Sequence, residues 1–288
     1  MLIAEPISLS VVDLTAINYR VVWDIAMVGV GGTGGYIIQS FMRMLKNFEI
    51  RGILTLADGD EVEEKNLLRQ NFIQSDIARK KVEVLGRRYS NVYDINIRTI
   101  GTYVESTEAV ENLFVLGKSD YKSFPGRKVQ RVLISAVDNK KTRQLFHECF
   151  NQSNDLIYID AGNENVLPES DEVSEEESLE SGYSGQVVVG VKANGKVILP
   201  PVGWVYPNIL EQSENDFFPS QACGQTVVSH PQRMQTNLMA ANVVLGYLNT
   251  LLSEGRLISH YTNFNARNQV MRPEYITREY LKAVGGLP

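Results

Sequence analysis

The polarity pattern of the chain switches repeatedly between two periods. Trp23 to Val30 is a short apolar run closing around a glycine, which reads as a buried strand. Gly34 to Lys46 then carries Ile37, Ile38, Phe41, Met42 and Leu45 at helical spacing, and Ile50 to Ala57 is a second apolar run. A strand, a glycine-rich turn, a helix and a second strand are the opening unit of a doubly wound parallel sheet. The pattern then repeats. The spacing predicts a helix over Ser75–Tyr89 leading to a strand over Asp94–Val104, and a helix over Thr107–Leu116 leading to a strand over Val129–Val137. A helix over Lys140–Phe150 and a strand over Leu156–Ala161 follow. Alternation of this kind puts helices on both faces of one sheet, so the fold class is α/β, Rossmann-like and mostly parallel.

Beyond Ala161 the alternation stops. Residues 163–182 are acidic, serine-rich and nearly free of aromatics, which predicts a flexible loop. Gly185 to Leu199 reads as a hairpin turning at Ala193-Asn194-Gly195, where Asn-Gly supplies positive φ. Pro200 to Pro231 is a long irregular stretch with prolines at 200, 201, 207, 219 and 231, and loops of that length are functional or disordered. Gln232 to Leu252 is the longest apolar-rich helix, and His260–Phe264 with Gln269–Arg272 closes the chain as a strand pair. We read residues 1–288 as one domain. Its nucleotide-binding half is 1–162, its acidic loop 163–182, and its C-terminal extension 183–288 holds the hairpin, a crossover loop and the last helix and strands.

Composition changes this picture little. A chain of 288 residues with 43% hydrophobic and 22% charged side chains can bury a substantial core. The net charge of −6 is local: residues 164–180 hold eight acids and no Lys or Arg, so the rest carries about +2. No basic stripe with interleaved aromatics is present, which argues against nucleic acid. Two cysteines, Cys149 and Cys223, are too few for a disulfide framework and fit a reducing compartment. There is no CxxC pair for a four-cysteine zinc site, and His147, His230 and His260 lack ligand spacing. Met1 to Ser10 has no signal-peptide pattern, and Leu238 to Leu252 is too short and too polar to span a bilayer. The expectation is a cytoplasmic protein with no membrane contact.

The candidate chemistry lies between Ala26 and Lys81. Gly29, Gly31 and Gly34 match GxGxxG after a strand and at the opening of a helix, where free N–H groups and a partial positive charge suit phosphate. The bland alternative is a tight turn with no ligand, and the fingerprint does not separate NAD from ATP. Asp58 and Asp60 follow the second strand, where carboxylates would accept hydrogen bonds from ribose hydroxyls. As an alternative they are turn formers in a solvated loop. Asn66, Arg69 and Gln70 fall in an unusual polar segment, with Lys81 in the helix beyond. Such a cluster suits a triphosphate being split, because charge placed beforehand on the departing pyrophosphate is the main electrostatic lever of adenylyl transfer. A solvated basic face explains Arg79-Lys80-Lys81 equally well.

Five linked motifs carry a resemblance. Gly29–Gly35, Asp58-Gly-Asp60-Glu-Val62, Asn66-Leu-Leu-Arg69-Gln70, Asp76-Ile77 with Lys81, and Ala136-Val137-Asp138-Asn139 with Arg143 occur in the order and at the distances of the ThiF/MoeB family, the bacterial relatives of ubiquitin-activating enzymes. The match is close over Val22 to Asn163 and looser over Cys223 to Tyr247, and it resembles the ThiF-like proteins of PRTRC cassettes. The resemblance implies ATP-dependent adenylation of the C-terminal carboxylate of a small ubiquitin-like (β-grasp) protein. It implies that Gly29, Gly31, Gly32 and Gly34 line the phosphates, that Asp60 with Asp58 nearby holds the ribose, and that Asn66, Arg69, Gln70 and Lys81 neutralise the phosphates. Asp138 would bind Mg²⁺ or orient the attacking carboxylate. Cys223, at the point where family members often carry a crossover-loop cysteine, would take the acyl group or take part in sulfur transfer; otherwise it is an inert loop thiol. Cys149 reads as core. A homodimer is expected by the same analogy. The family's zinc CxxC pairs are absent, and the residues around Arg20 do not match the motif of the arginine that acts across the family's dimer. Two other functions stay open: a non-catalytic nucleotide-binding interaction module, and an NAD-dependent oxidoreductase.

Overall fold

The computed structural model describes residues 7–8, 21–116, 127–170, 173–211, 217–222 and 232–285. Arg20, Cys223 and His230 lie outside the described residues. After a two-residue strand β1 (Ile7–Ser8), strand β2 (Val21–Val28) is buried along its whole length. Its alternate side chains serve two cores: Trp23, Ile25 and Met27 face one, Ala26 and Val28 the other. Helix α1 (Gly32–Asn47) follows and packs Ile37, Ile38, Phe41 and Met42 into the first core.

Strands β3 (Gly52–Ala57) and β4 (Ile97–Ile100) lie in turn on one side of β2. On the other side lie β5 (Lys128–Ser135) and β6 (Leu156–Asn163), and all four ladders are parallel. The chain steps outward from β2 to β4 and then returns to the opposite flank of β2. The switch point therefore falls between β2 and β5, where open α/β sheets hold ligands. Helix α2 (Lys81–Tyr93) covers the same face as α1, while α3 (Thr107–Glu111) and α4 (Lys140–Gln152) cover the other.

The second half extends this sheet with antiparallel strands. Helix α5 (Glu175–Glu180) precedes the hairpin β7 (Ser184–Ala193) and β8 (Lys196–Leu199), whose turn has positive φ at Asn194 and Gly195. β7 pairs antiparallel with β6. Past the short α6 (Val202–Val205), the long α7 (Met234–Glu254) buries Ala240, Val244, Leu248 and Leu251 in the first core. β9 (Arg256–Leu257) pairs with β1, and β10 (Ser259–Asn265) with β11 (Val270–Tyr275) completes the sheet beyond β7. The chain ends in α8 (Arg278–Ala283).

Three expectations need correction. The helix before Lys81 does not begin at Ser75. Two 3₁₀ turns, Glu64–Asn66 and Gln74–Asp76, occupy that segment, and Ala78 has φ 62°, a left-handed value no helix can pass through. The helix from Thr107 ends at Glu111 because the amides of Val115 and Leu116 donate to buried Asp24 instead, at 2.9 and 2.7 Å. The acidic stretch is not featureless. α5 begins with a capping box between Ser174 and Glu177. Arg233 then donates to the carbonyls of Ser178, Leu179 and Ser181 at its far end. Cys149 is buried as expected, with its thiol pushed up to about 12 by burial. Among the described residues no helix is long and apolar enough to cross a membrane.

Candidate functional site

The carboxyl ends of β2, β3 and β5 open on one cleft of about 480 Å³. Its floor is the turn after β2. Gly29 has φ +87°, and a Cβ there would stand 2.6 Å from the Ala136 carbonyl oxygen in the turn after β5. Only glycine lets the two strand ends meet backbone to backbone at the switch point. α1 then starts at Gly32 with no side chain capping it. Its first amides and its dipole are left to a ligand, and an anion suits both. Gly31 and Gly32 line the cleft, but Gly34 does not. Gly34 sits beneath the turn, against the Gly29 carbonyl, so it serves helix–strand packing and not ligand contact.

The two acids after β3 have different surroundings. Asp58 folds back under the turn: Oδ2 accepts the Val30 N–H at 2.8 Å and Oδ1 the Asp60 N–H at 2.9 Å. Burial pushes its carboxyl above the usual range against the pull of Lys81. Its first task is to hold the glycine turn in shape. Asp60 reaches outward and accepts from Lys81 Nζ at 2.8 Å and from the Tyr103 hydroxyl at 2.5 Å. Burial works to raise its pKa, but the Lys81 charge with both hydrogen bonds holds it below the usual range. The Lys81 side chain is only 7% exposed. It is thus a largely buried cation, fixed from one side and aimed at the cleft.

The polar segment is built by its own side chains. Asn66 Oδ1 takes the Glu63 N–H at 2.8 Å, and the Asn66 carbonyl takes the amides of Arg69 and Gln70. This turns Asn66, Arg69 and Gln70 toward the same cleft as the glycines. The Arg69 guanidinium has no hydrogen-bond or ion-pair partner among the described residues, and buried Gln70 Oε1 has none either. The guanidinium is a donor that a bound anion would satisfy, whereas the Gln70 oxygen is an acceptor and needs a donor such as a ligand hydroxyl.

After β5, Asp138 lines the cleft and is exposed to it. Burial, with the nearby Asp60 charge, raises its pKa. Asn139 caps α4 by accepting the Thr142 N–H at 2.9 Å and donates to the Phe217 carbonyl at 2.8 Å, which ties the irregular stretch to the cleft rim. Arg143 forms a buried ion pair with Asp160, which also accepts the Tyr158 hydroxyl at 2.9 Å. Among the described residues no group of three or more His, Cys, Asp or Glu could hold a metal by itself. Mg²⁺ needs no such group, since it keeps several waters and takes one or two carboxylates with substrate phosphates. Asp138, crowded by the charge of Asp60, fits that donor set.

The cleft therefore brings together Gly29, Gly31, Gly32, Asp58, Asp60, Asn66, Arg69, Gln70, Lys81 and Asp138. Cys223 lies outside the described residues. Thr33, Tyr103, Asn163 and Asn237 also line it and were missed by sequence reasoning. Thr33 lies inside the glycine motif but was given no role there, Tyr103 lies in the loop after β4, and Asn163 and Asn237 join through contacts between distant segments that no local pattern marks.

Comparison with known proteins gives a consistent picture. The ThiF family model matches residues 20–274. The chain resembles E. coli MccB with a TM-score of 0.57 at 15% identity, over 88% of this chain and 62% of that one. It resembles the Microcin C7 biosynthetic enzyme MccB in complex with N-formylated MccA with a TM-score of 0.58 at 14% identity, over 90% and 65%. For PaaA the TM-score is 0.54 at 16% identity, over 88% and 64%. E. coli MccB has also been solved with ATP. The chain spans less than two thirds of the length of each of these structures, and at such identities the likeness is one of fold. No curated protein matches it.

Proposed function

Since the chain belongs to the ThiF family, we propose that it transfers the adenylyl group of ATP to a carboxylate of a polypeptide partner. The observation that carries this reading is the meeting of Arg69, Lys81 and Asp138 around the uncapped start of α1. An NAD enzyme needs no such cation cluster, because hydride transfer releases no pyrophosphate.

In this reading the first amides of α1 and the Arg69 guanidinium hold the phosphates. Lys81 presents its ammonium to them because Asp60 fixes it in place. Each oxygen of Asp60 has a second lone pair, which can accept from a ribose hydroxyl. The partner's carboxylate oxygen bonds to the α-phosphorus, the bond from that phosphorus to the bridging oxygen breaks, and pyrophosphate leaves with the electron pair. The positive charge set up before the reaction stabilises that leaving group. Asp138, with its carboxylate crowded by Asp60, would hold Mg²⁺, which when bound neutralises phosphate charge.

The partner is taken to be a small ubiquitin-like β-grasp protein presenting its C-terminus, and the protein to act as a homodimer. MccB, of the same fold, has been solved with ATP and, in another structure, with AMPCPP and MccA together, which supports a site for two substrates. Cys223 is taken to receive the acyl group. The test is ATP–pyrophosphate exchange, which should depend on the partner. Arg69→Ala or Lys81→Ala should slow it by about 10²–10³, the scale of losing one preorganised donor. Unchanged exchange in both variants rules out this site. Cys223→Ala should leave exchange intact and abolish any thioester.

A further inference from the structure

A polar side chain from the C-terminal half reaches the start of α1. Asn237 lies in the first turn of α7 and is 3% exposed. Its amide packs directly on Gly32, the first residue of α1: a Cβ at Gly32 would stand 2.4 Å from Asn237 Nδ2. The first turns of two long helices therefore meet at one edge of the cleft. Two positive helix ends placed together repel each other, and an anion between them relieves the repulsion.

The oxygen side of the amide is tied into a small network. Asn163 Nδ2 donates to Asn237 Oδ1 at 2.8 Å and to Thr33 Oγ1 at 3.0 Å. With that lone pair of Thr33 occupied, its hydroxyl proton points to Asn237 Oδ1, at 3.0 Å. Asn237 Oδ1 thus accepts two hydrogen bonds, and its Nδ2 lies on the other side, toward Gly32. That nitrogen has no partner among the described residues, although Asn237 is almost wholly buried and lines the cleft. A donor at the cleft wall with no acceptor among the described residues is open to a ligand that supplies one.

We infer that Asn237 Nδ2 is a donor to the phosphate oxygens of a nucleoside triphosphate bound at the start of α1, with Thr33 and Asn163 as its positioning residues. The inference rests on the ATP reading above and deepens it. The phosphate site is completed by the C-terminal half, so occupancy by phosphate clamps α7 onto α1. A nucleoside without phosphates makes no use of this contact.

The test is calorimetric binding of ATP, pyrophosphate and adenosine to the full chain and to Asn237→Asp. The aspartate still accepts from Thr33 and Asn163, and an acid in the first turn suits α7. The variant should fold, yet it replaces a donor facing the phosphates with a negative charge. ATP and pyrophosphate affinity should fall on the order of 10²-fold while adenosine affinity is unchanged. Equal ATP affinity in wild type and variant overturns the inference and leaves the ATP reading standing. Adenosine weakened as much as ATP also overturns it, because that marks a structural role only. A wild-type chain that binds neither ATP nor pyrophosphate overturns both. If Asn237→Asp does not fold, Asn237→Ser decides. It should show the same split at roughly 10-fold, and equal losses for ATP and adenosine would sink the idea.

Discussion

The two halves of this sheet keep buried polarity in different forms. In the parallel half the described buried polar groups include, beside neutral ones such as Thr55, Asn66 and Gln130, the ionisable Asp24, Asp76, Lys81 and Asp160, each with at least one hydrogen-bond or ion-pair partner. In the antiparallel half they are Ser181, Thr236, Asn237, His260 and Thr262, none of which carries charge at neutral pH. Charges out of water are costly unless paired, and of these four groups Lys81 lies at the cleft, where Asp60 pairs with it. The second half braces the cleft with neutral hydrogen bonds and a long apolar helix. The division explains how the fold can lack zinc-binding CxxC pairs: β7, β10 and α7 are held by packing and by a continuous ladder onto β6.

Removing one partner of the most buried pair should break this comparison hardest. Arg143→Met leaves Asp160, which is 0% exposed, with only the Tyr158 hydroxyl. Breaking a buried pair this way costs about 3–5 kcal/mol. Urea unfolding should show that loss. The double change Arg143→Met with Asp160→Asn should recover most of it, because Asn still accepts from Tyr158 and carries no charge. A single variant as stable as wild type would mean that Asp160 is not held as a charge.

The neutral half should answer to pH instead. His260 donates from Nε2 to the Pro200 carbonyl at 2.8 Å, so its Nδ1 must accept from the Tyr280 hydroxyl at 2.5 Å. Burial lowers its pKa from 6.5 to about 4. The folded state therefore binds fewer protons than the unfolded one between those values. The stabilisation is fully present above about 6.5 and is lost as pH falls toward 4. It amounts to about 3 kcal/mol. His260→Gln should flatten that part of the stability–pH curve. An unchanged slope would place the acid sensitivity among the carboxylates of the other half.

The parallel half was also the more legible in sequence. Its strands are continuous apolar runs and its helices carry a clear 3.6-residue repeat, so the elements from Trp23 to Ala161 could be placed from pattern alone. Boundaries failed where side chains replaced backbone partners, as at Asp24, Asn66 and Asp76. Arg69, Lys81 and Asp138 were picked out by the motifs of the family resemblance, and all three line one cleft. Asn237 was not, since it meets Thr33 across 204 residues and looks from sequence like a polar interruption in an apolar helix. The Arg143–Asp160 pair was hidden for a related reason. Arg143 carries a motif but no role, until β6 brings its carboxylate beneath the cleft.

The smallest effect should come from an ion pair of the same chemistry in the other half. Arg267 and Glu180 meet at 2.8 Å with side chains 53% and 57% exposed, joining α5 to the turn between β10 and β11. Water screens such a pair, and the ordering of two long side chains offsets most of the attraction, so its coupling should be a few tenths of a kcal/mol, ~0.2–1 at most. A double-mutant cycle with Arg267→Ala and Glu180→Ala measures it. In about 1 M salt, where the Debye length is ~3 Å, that coupling should disappear while the penalty of Arg143→Met stays. Arg267 also lies 6.0 Å from the Tyr183 ring. A loss in Arg267→Ala that survives both high salt and the Glu180→Ala background would belong to that ring contact and not to the ion pair. The exposed charge would then contribute to this half through an aromatic surface, as its buried groups do through neutral contacts.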